Sequence, residues 1–548
     1  MMGEVVALDG NTAVMSIGNR SLVEVLEFDG NIWKKVAVLT PSDESDPVSF
    51  GSSLCVSNNV IIVGSPDNLT YGAVYVFQKP VSGWTDMTET AKLTASDGEN
   101  LDNFGFSVSL SNNVLVVGAF GDDDNGMMSG AAYIFEKPVD EWISATETVK
   151  VKPSDGAATN YFGRSVSISG ETLVIGAVGK KAAYVFEKPS TGWVNLTTET
   201  ATLTSSDIAI DDSFGETVSI SGNTIVVGVY DDDDLGSNSG SAYVFEKPSS
   251  GWVTSTQTAK LTASNGTSND FFGVSVSVSG NFIAIGASNF EGTGVFHGAV
   301  YLFEKPVSGV WVNASENQML KAADEDQYDQ FGKSVSLSHN FLLVGAFQAD
   351  YSVFFDSGSA YLFQAPITWT GSVSSDWHTA ANWDFESVPN AFDDVLVDDS
   401  PSNQPEINTQ ANCYDLQLDT DASLTLLSDV STSASLIIGG IYSGAAKVAY
   451  QRFMEGNLWY FTGSPFEDTE INTYISHTNL LNDGTNYKMK DYIESTDAWA
   501  PEYTMSTLGI MQSGKGFAVK LNSSDEAYFI GTPNTSTVNV SLTRDGMG

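Results

Sequence analysis

The sequence predicts an all-β protein whose first two-thirds form a seven-bladed β-propeller. Three observations support this prediction. A Phe-Gly pair recurs six times, each pair opens a run of short strand-like segments, and the units repeat at roughly fifty residues, a period typical of propeller blades. Apolar and polar residues alternate with period two, and the turns are only two or three residues long, so helices are not expected.

The units follow the same order of elements, except that the last one lacks the final strand. The Phe-Gly pairs lie at Phe50-Gly51, Phe104-Gly105, Phe162-Gly163, Phe214-Gly215, Phe272-Gly273 and Phe331-Gly332. An alternating strand such as SVSIS follows, then a short turn, an apolar run such as LVVGA, a variable loop and a third strand such as AYVFE. A Lys-Pro turn and a Trp lead into a fourth strand such as TAKLTAS. Residues 2–11 align with residues 214–223 and supply a seventh unit.

The last unit ends at Tyr361-Leu362-Phe363 without a fourth strand. Two alternatives follow from the pattern. Either the chain is a fragment and the closing strand lies upstream of Met1, or the last blade has three strands and an open edge.

The repeated residues have structural explanations. Phe before Gly can fill the wedge between neighbouring blades, and Gly allows close backbone approach. Proline in the third turn costs no ladder hydrogen bond. The tryptophans recur once per unit, which favours packing over sugar stacking; they are Trp84, Trp142, Trp193, Trp252 and Trp311.

Composition excludes several classes of function. The 548 residues include 68 acidic and 24 basic ones, a net charge of −44, which repels nucleic acid and anionic membranes. No apolar run is long enough for a membrane-spanning helix, so no membrane insertion is expected. Cys55 and Cys413 are too few for a disulfide framework or a thiolate metal cluster. The first residues lack a signal-peptide pattern, and a leader could have been removed.

The pattern Phe-Gly, SVS, VVGA, AYVFE resembles the FG-GAP repeat, the blade unit of integrin alpha-subunit propellers and of many secreted bacterial proteins. The resemblance covers residues 2 to about 366 and implies a binding role, often in adhesion and often with calcium. One departure concerns the calcium loop, which this family places between the first and second strands as Asp-x-Asn-x-Asp-Gly. Here that turn is as short as Ser111-Asn112-Asn113, so those calcium sites do not carry over.

Two acidic loops between the second and third strands are the candidate sites. They are GDDDNG (121–126) and DDDDLG (231–236). Neither fits an EF-hand loop, because side-chain ligands are missing at essential positions. A calcium site of another kind remains an expectation, since adjacent carboxylates supply oxygen ligands. Its residues are Asp122, Asp123, Asp124, Asn125, Asp231 and Asp233; the alternative is solvated turns.

Topology predicts where these loops lie. In an up-and-down blade the two-to-three loops share a face with the blade-joining loops, and both are acidic. This loop face is the expected ligand face, with Asp122, Asp123, Asp124, Asp231, Asp232, Asp233 and Asp234 as its candidate residues. For the joining-loop aspartates we favour turn capping instead. They are Asp43, Asp46, Asp97, Asp102, Asp155, Asp207, Asp211, Asp212, Asp270, Asp324, Asp326 and Asp329. The opposite face carries Lys79, Lys137, Lys188, Lys247 and Lys305.

The C-terminal third lacks the repeat. We expect two small β-sandwich-like modules, at 367–440 and 441–548, after a propeller at 1–366. They resemble modules of large secreted bacterial surface proteins. Trp369, Trp377 and Trp383 favour a domain core over a carbohydrate platform. The P-loop-like stretch 509–516 is accidental, because its last position is Gly.

No catalytic motif is present. The histidines His297, His339, His378 and His477 lack metal-binding spacing, and there is no nucleophile elbow. The main irregularities of the repeat are Tyr328, Phe354 and Phe355. The leading hypothesis is a non-catalytic, secreted or cell-surface binding protein for an extracellular protein or glycan ligand, with calcium as the candidate cofactor. The alternative is a polysaccharide-active enzyme or its carbohydrate-binding component.

Overall fold

The structure is a computed structural model of all 548 residues. It describes residues 2–532, with gaps at 18–20, 30–31, 44–48, 67–70, 140, 195, 291–296, 307–308, 325–327, 349–357, 386, 392, 428–433, 440, 445, 455–457, 463, 465, 467–468, 494–497, 500, 504–508, 512–516 and 524. Asp46, Asp326, Phe354, Phe355 and most of the P-loop-like stretch therefore lie outside the described residues. The chain divides into two compact units, Met1–Gln364 and Ala365–Gly548.

The first unit is a seven-bladed β-propeller, as the repeat predicts. Its seven sheets, counted over the described residues, follow the chain in order, and the consecutive strands of each blade pair antiparallel. The strands of the first four blades are β1 (Met2–Asp9), β2 (Thr12–Ile17), β3 (Leu22–Phe28), β4 (Trp33–Leu39); β5 (Ser53–Ser57), β6 (Val60–Ser65), β7 (Ala73–Gln78), β8 (Ala91–Leu93); β9 (Ser107–Ser111), β10 (Val114–Ala119), β11 (Ala131–Glu136), β12 (Val149–Val151); and β13 (Phe162–Ser169), β14 (Thr172–Ala177), β15 (Ala182–Glu187), β16 (Ala201–Thr204).

The last three blades complete the ring. Their strands are β17 (Thr217–Ser221), β18 (Thr224–Val229), β19 (Ser241–Glu246), β21 (Ala259–Leu261); β22 (Phe272–Ser279), β23 (Phe282–Ala287), β24 (Ala299–Glu304), β25 (Gln318–Leu320); and β26 (Phe331–Ser338), β27 (Phe341–Ala346), β28 (Ser359–Gln364). The short β20 (Ser255–Thr256) precedes β21 in the chain and pairs in parallel with β16 of blade four. Blade seven thus has three strands among the described residues. Its third strand is half-buried, whereas the matching strand β11 is almost wholly buried, as expected for an open edge.

The Phe-Gly and Gly-Ala pairs form the contacts between blades. Phe104 packs edge-on against Tyr133 of its own blade, with ring centroids 5.3 Å apart, and also lies in one cluster with the core of the preceding blade. A Cβ on Gly118 would lie 2.1 Å from the carbonyl oxygen of Gly163 in the next blade. A Cβ on Gly163 would lie 2.3 Å from the carbonyl oxygen of Ala131, so close backbone approach requires glycine at both positions, as the sequence predicts.

The serines of the first strands form a ladder around most of the ring. Backbone N–H groups of the inner strands β13, β17, β22, β26 and β1 donate to serine hydroxyls of the preceding inner strand, for example Ile220 to Ser167 at 3.1 Å. The same bonds close the ring between blades seven and one, where Val6, Leu8 and Gly10 donate to Ser334, Ser336 and Ser338 at 3.1, 3.0 and 2.9 Å. The alternating pattern predicts the strands but not this use of their polar residues.

The repeated tryptophans are buried, which confirms their packing role. Trp142 joins the cluster between blades two and three, and Trp84 joins the one between blades one and two. In the same part of the blade, a glutamate carboxylate accepts two hydrogen bonds from a serine of the preceding joining loop. Glu147 accepts hydrogen bonds from the N–H and hydroxyl of Ser96 at 2.9 and 2.6 Å, and Glu199 does the same for Ser154 at 3.0 and 2.9 Å.

The second unit is also β-rich, with one short α-helix and one turn of 3-10 helix (Ala380–Asn382) among its described residues. Its elements are β29 (Ile367–Thr368), β30 (Val395–Val397), β31 (Glu406–Ile407), β32 (Gln410–Cys413), β33 (Leu416–Leu418), β34 (Leu424–Leu426), β35 (Ser435–Ile438), β36 (Tyr442–Gly444), β37 (Val448–Met454), β38 (Trp459–Thr462), α1 (Ile471–His477), β39 (Met489–Ile493), β40 (Ala498–Trp499), β41 (Phe517–Lys520) and β42 (Asp525–Gly531).

The direction of strand pairing differs between the first and second halves of this unit. Up to β37 the strands pair in parallel, in the orders β29-β30-β33-β36, β31-β34-β37 and β32-β35. Strands β37 to β42 pair antiparallel. The expected β-strands are present, and their parallel pairing is a detail that the sequence did not predict. The boundary at residue 440 stays a prediction.

The three clustered tryptophans form a core. Trp383 packs edge-on between Trp369 and Trp377, with centroid distances of 4.9 and 4.7 Å. All three side chains are at most 1% exposed. The indole N–H groups of Trp369 and Trp383 donate to the carbonyls of Asn403 and Trp377 at 2.7 and 2.9 Å. The preference for a core over a carbohydrate platform is confirmed.

Candidate functional site

The acidic two-to-three loop of blade three, residues 120–130 between β10 and β11, is a tightly hydrogen-bonded turn. Asp122 is buried, and its carboxylate accepts the N–H of Asp124 at 3.2 Å. Its backbone carbonyl accepts the N–H of Gly130 and the hydroxyl of Ser129 at 2.8 and 3.1 Å. Asp123 and Asp124 are exposed. The loop therefore turns one carboxylate inward and two outward.

Lys150 of β12 lies among these carboxylates. Its ammonium nitrogen is 2.6 Å from Asp122, 2.7 Å from Asp124 and 2.7 Å from Asp97 of the joining loop. The hydroxyl of Tyr133 also donates to Asp122 at 2.9 Å. Because one lysine reaches both loops, the two-to-three loop and the joining loop lie on the same face, as predicted from topology.

Blade five repeats this arrangement. Lys260 of β21 lies 2.9 Å from Asp207 and 3.2 Å from Asp232, and it also pairs with Asp234. Tyr243 donates to Asp232 at 2.7 Å. We call the two clusters the lysine-centred triads: Lys150 with Asp97, Asp122 and Asp124, and Lys260 with Asp207, Asp232 and Asp234.

The triads shift the pKa values of their members. Hydrogen bonds from Lys150 and then Lys152 lower the pKa of Asp124 to about 2. Burial alone would lower the pKa of Lys150, but its bonds to Asp122, Asp124 and Asp97 outweigh this and raise it. Each triad therefore holds an ammonium ion at its centre at neutral pH.

The carboxylates of the blade-three triad converge on one point. Carboxylate oxygens of Asp97, Asp122 and Asp124 lie within 4.8 Å of one another, close enough for a shared cation. A metal ion at that point would have to displace the Lys150 ammonium. In the other loop, Asp231 accepts the N–H and hydroxyl of Ser213 at 2.7 and 2.6 Å, and Asp233 accepts the N–H of Asn238 at 2.7 Å. Calcium binding at these residues stays a prediction.

Several joining-loop aspartates cap turns, which confirms that interpretation for them. Asp102, Asp212 and Asp270 each accept the N–H of the residue three positions earlier, at 2.7, 2.5 and 2.6 Å. Others bond the tyrosine of the third strand: Asp43 with Tyr75, Asp155 with Tyr184 and Asp324 with Tyr361, at 2.8, 2.7 and 2.7 Å.

Asp102 gives a pH-dependent prediction. Burial raises its pKa from 3.8 to about 6, with the nearby Asp122 charge adding to the effect. The stability that the protonated Asp102 carboxyl contributes is therefore fully present below pH 4 and is lost as the pH rises through 6. Asp102→Asn keeps the acceptor for Glu99 without the charge, so we expect it to stabilise the propeller by about 1 kcal/mol at pH 7.5, after allowance for solvent screening.

Thermal unfolding of Asp102→Asn and the parent protein between pH 4 and 8 measures this gain. We expect the difference in Tm to vanish at pH 4. A difference that is constant with pH would contradict the assigned cause.

The opposite face carries the predicted lysines, and most of them are paired across blades. Lys188, Lys247 and Lys305 contact glutamates at the end of the preceding third strand, Glu136, Glu187 and Glu246, at 3.3, 2.7 and 2.6 Å. Lys79 pairs in the same way with Glu27. This face therefore repeats one ion pair from blade to blade.

The loop-face end of the central channel breaks the repeat. The residue after each Phe-Gly pair lies there and differs between blades: Ser52, Phe106, Arg164, Glu216, Val274 and Lys333. Arg164 binds Glu216 of the next blade through contacts of 2.8, 3.0 and 3.1 Å. Its guanidinium also lies over the rings of Phe106 and Phe120, at 4.5 and 4.9 Å. Sequence reasoning missed this ring of residues; their variation at one fixed repeat position was the available signal.

A cavity of about 460 Å³ opens at this end of the channel, between blades five, six and seven. Tyr230 and Phe271 form an aromatic wall, with ring centroids 5.8 Å apart and planes at 88°. The rest of the lining is polar apart from one valine: Glu216, Thr217, Val274, Ser288, Asn289, Gln330 and Lys333. Its size is within the range typical of small-molecule sites.

The seven-bladed fold defines the class of the first unit, a β-propeller scaffold built from repeats. Six segments match the FG-GAP repeat family, at residues 33–77, 87–135, 145–186, 197–245, 255–303 and 314–363. They cover more than half of the sequence, so the chain belongs to the FG-GAP repeat family. Propellers of this family are typically non-catalytic binding or adhesion-type scaffolds and are typical of extracellular proteins.

The other comparisons with known proteins give no information about function. Residues 368–439 match a family described only as a domain of unknown function. The crystal structure of the WD40 β-propeller domain of Doa1 is similar over 66% of this chain and 93% of that domain, with 12% identity and a TM-score of 0.40, too low to support an argument. No curated protein sequence matches the chain significantly. Among the described residues, no helix has the length and hydrophobicity needed to span a bilayer.

Proposed function

We propose that this protein is a non-catalytic, secreted or cell-surface binding protein of the adhesion type, which holds an extracellular protein or glycan ligand on the loop face of its propeller. The observation that supports this proposal is the contrast between the two faces. One face repeats the same lysine–glutamate pair, whereas the other varies its residues at the channel end from blade to blade.

The lengths of the loops also support the loop face as the binding surface. The turn between the first and second strands has two residues in every blade, as at 112–113 and 170–171. The two-to-three loops range in length from residues 178–181 in blade four to residues 347–358 in blade seven, and those at 120–130 and 230–240 are nearly as long as the latter. In repeat proteins, insertions that vary between units commonly mark the binding face. The lysine-centred triads fix the base of two long loops, and Asp123 and Asp233, which lie outside the triads, are exposed for contact.

Two matched ion pairs test the proposal. Arg164–Glu216 joins blades four and five at the loop face, and Lys247–Glu187 joins the same blades at the opposite face. The purified chain is tested on an array of glycans and extracellular proteins. We expect the double variant Arg164→Ala/Glu216→Ala to lose at least tenfold in affinity for the bound partner, and Lys247→Ala/Glu187→Ala to retain it.

Equal losses in the two variants, or no bound partner on the array, would reject the loop face as the binding surface. Release of reducing sugar from any polysaccharide substrate would instead support the enzymatic alternative. Localisation is tested separately: protein detected only inside intact cells would contradict the secreted or surface-bound assignment.

Calcium is proposed as the cofactor at Asp122, Asp123, Asp124, Asn125, Asp231 and Asp233. A resident ion would stabilise the folded state by mass action, so Tm should rise as calcium is titrated to millimolar concentration. Asp123→Asn and Asp233→Asn together should remove the rise. An unchanged Tm would remove calcium from the proposal without affecting the binding role of the loop face.

A further inference from the structure

The channel-end cavity contains one lysine without a counter-ion. Glu216 is balanced by Arg164, which binds its carboxylate through two nitrogen atoms. Lys333 is exposed, and within the described part of the chain its ammonium group forms no ion pair. Burial and the nearby charge of Asp231 raise the pKa of Tyr230, but the Asp231 carboxylate accepts the N–H and hydroxyl of Ser213. Lys333 is therefore the charged group of the lining that is left to pair with an anionic ligand.

The uncharged part of the lining has two kinds of surface. Tyr230 and Phe271 present half-buried aromatic faces and edges. Asn289 and Gln330 present side-chain amides, and Gln330 uses its amide nitrogen for Gln348 at 2.8 Å, which leaves its oxygen to accept a bond from a ligand. Aromatic rings next to several amide and hydroxyl groups suit a ligand with apolar faces and many hydroxyls.

We propose that this cavity binds a saccharide unit that carries a carboxylate. The sugar ring packs on Tyr230 and Phe271, its hydroxyls bond Asn289 and Gln330, and its carboxylate pairs with Lys333. The inference rests on the proposed function and specifies the ligand class of the same face. A peptide with an acidic side chain would pair with Lys333. It would form fewer hydrogen bonds with the amides and pack less completely on the aromatic wall.

The probe is a printed panel of uronate- and sialate-bearing oligosaccharides with their neutral counterparts and with acidic peptides. We expect an acidic oligosaccharide to bind and its neutral counterpart to bind more weakly. The best acidic oligosaccharide is then titrated by calorimetry against the full chain. Lys333→Gln should weaken it about tenfold or more, the usual size of a lost charge-assisted hydrogen bond, and should abolish the preference over the neutral sugar.

Lys137→Gln is the matched control, because Lys137 lies on the opposite face and also forms no ion pair among the described residues. Tyr230→Ala tests the aromatic wall and should weaken acidic and neutral sugars equally. Circular dichroism confirms that each variant is folded. Retained tight binding in both Lys333→Gln and Tyr230→Ala would overturn the inference.

The test also separates this inference from the proposed function. If only acidic peptides bind, or if a protein partner binds the loop face and no acidic saccharide does, the saccharide assignment fails and the binding face stands. If Arg164→Ala/Glu216→Ala leaves every interaction unchanged, the proposed function fails as well.

Discussion

Replacing Lys150 with methionine is expected to lower the free energy of unfolding of the propeller by about 3 kcal/mol, because it leaves a buried carboxylate without its counter-ion. Asp122 carries most of this cost, since its side chain is 4% exposed, whereas Asp97 and Asp124 are each 43% exposed and can be solvated. Methionine keeps the aliphatic packing against Tyr133, so the loss reports the charge. Urea unfolding monitored by tryptophan fluorescence measures it.

Lys152→Met is the control, because Lys152 contacts only the outer carboxylate of this triad, Asp124, at 2.8 Å. It should cost less than 1 kcal/mol, as exposed ion pairs do. Equal losses in the two variants would show that Lys150 has no special role. Millimolar calcium should restore part of the stability of Lys150→Met, since three carboxylates then converge on a point without an ammonium ion.

Replacing Gly176 with alanine is expected to destabilise the ring by about 3 kcal/mol or more, the upper range for overpacking. The new Cβ would lie 2.0 Å from the carbonyl oxygen of Gly215 in the next blade. Backbone cannot move aside as a flexible side chain can, so the contact between blades four and five must open. The measurement is Tm by circular dichroism.

Gly170→Ala in the same blade is the comparison. Gly170 has φ +58° but no atom within 4 Å of its added Cβ, so alanine there costs only the left-handed conformation, about 1–2 kcal/mol. A loss at Gly176 no larger than that at Gly170 would contradict the importance of the close approach.

The sequence predicts those features of the propeller that depend on residue type at a fixed repeat position. Phe104 and Gly118 recur because every pair of blades needs the same wedge and the same close contact, so their roles follow from the repeat. The faces of the loops follow from up-and-down topology. The parallel pairing of β29 to β37 does not, because short strands with period-two alternation read the same in either direction.

The lysine-centred triads are harder to predict than the fold, because they depend on strand register. Lys150 lies 28 residues after Asp122 and on a different strand, and it reads as an ordinary polar residue of an alternating segment. Only the strand register brings its side chain to the acidic loops. The cavity at the channel end is harder still, since Glu216, Val274 and Lys333 come from three blades and share no residue type. Divergence at one repeat position is the only sequence signal for it.

The serine ladder has a mechanical consequence. Six of the seven seams between blades are bridged by the polypeptide itself, whereas blades seven and one are held by three serine–amide hydrogen bonds on the inside and by Phe28, Trp33 and Phe341 towards the outside. An apolar cluster that includes Val6, Leu8 and Leu343 also spans this seam. Among the described residues, a load on this seam therefore falls on hydrogen bonds and packed side chains, whereas at the other seams the chain that joins the blades shares it.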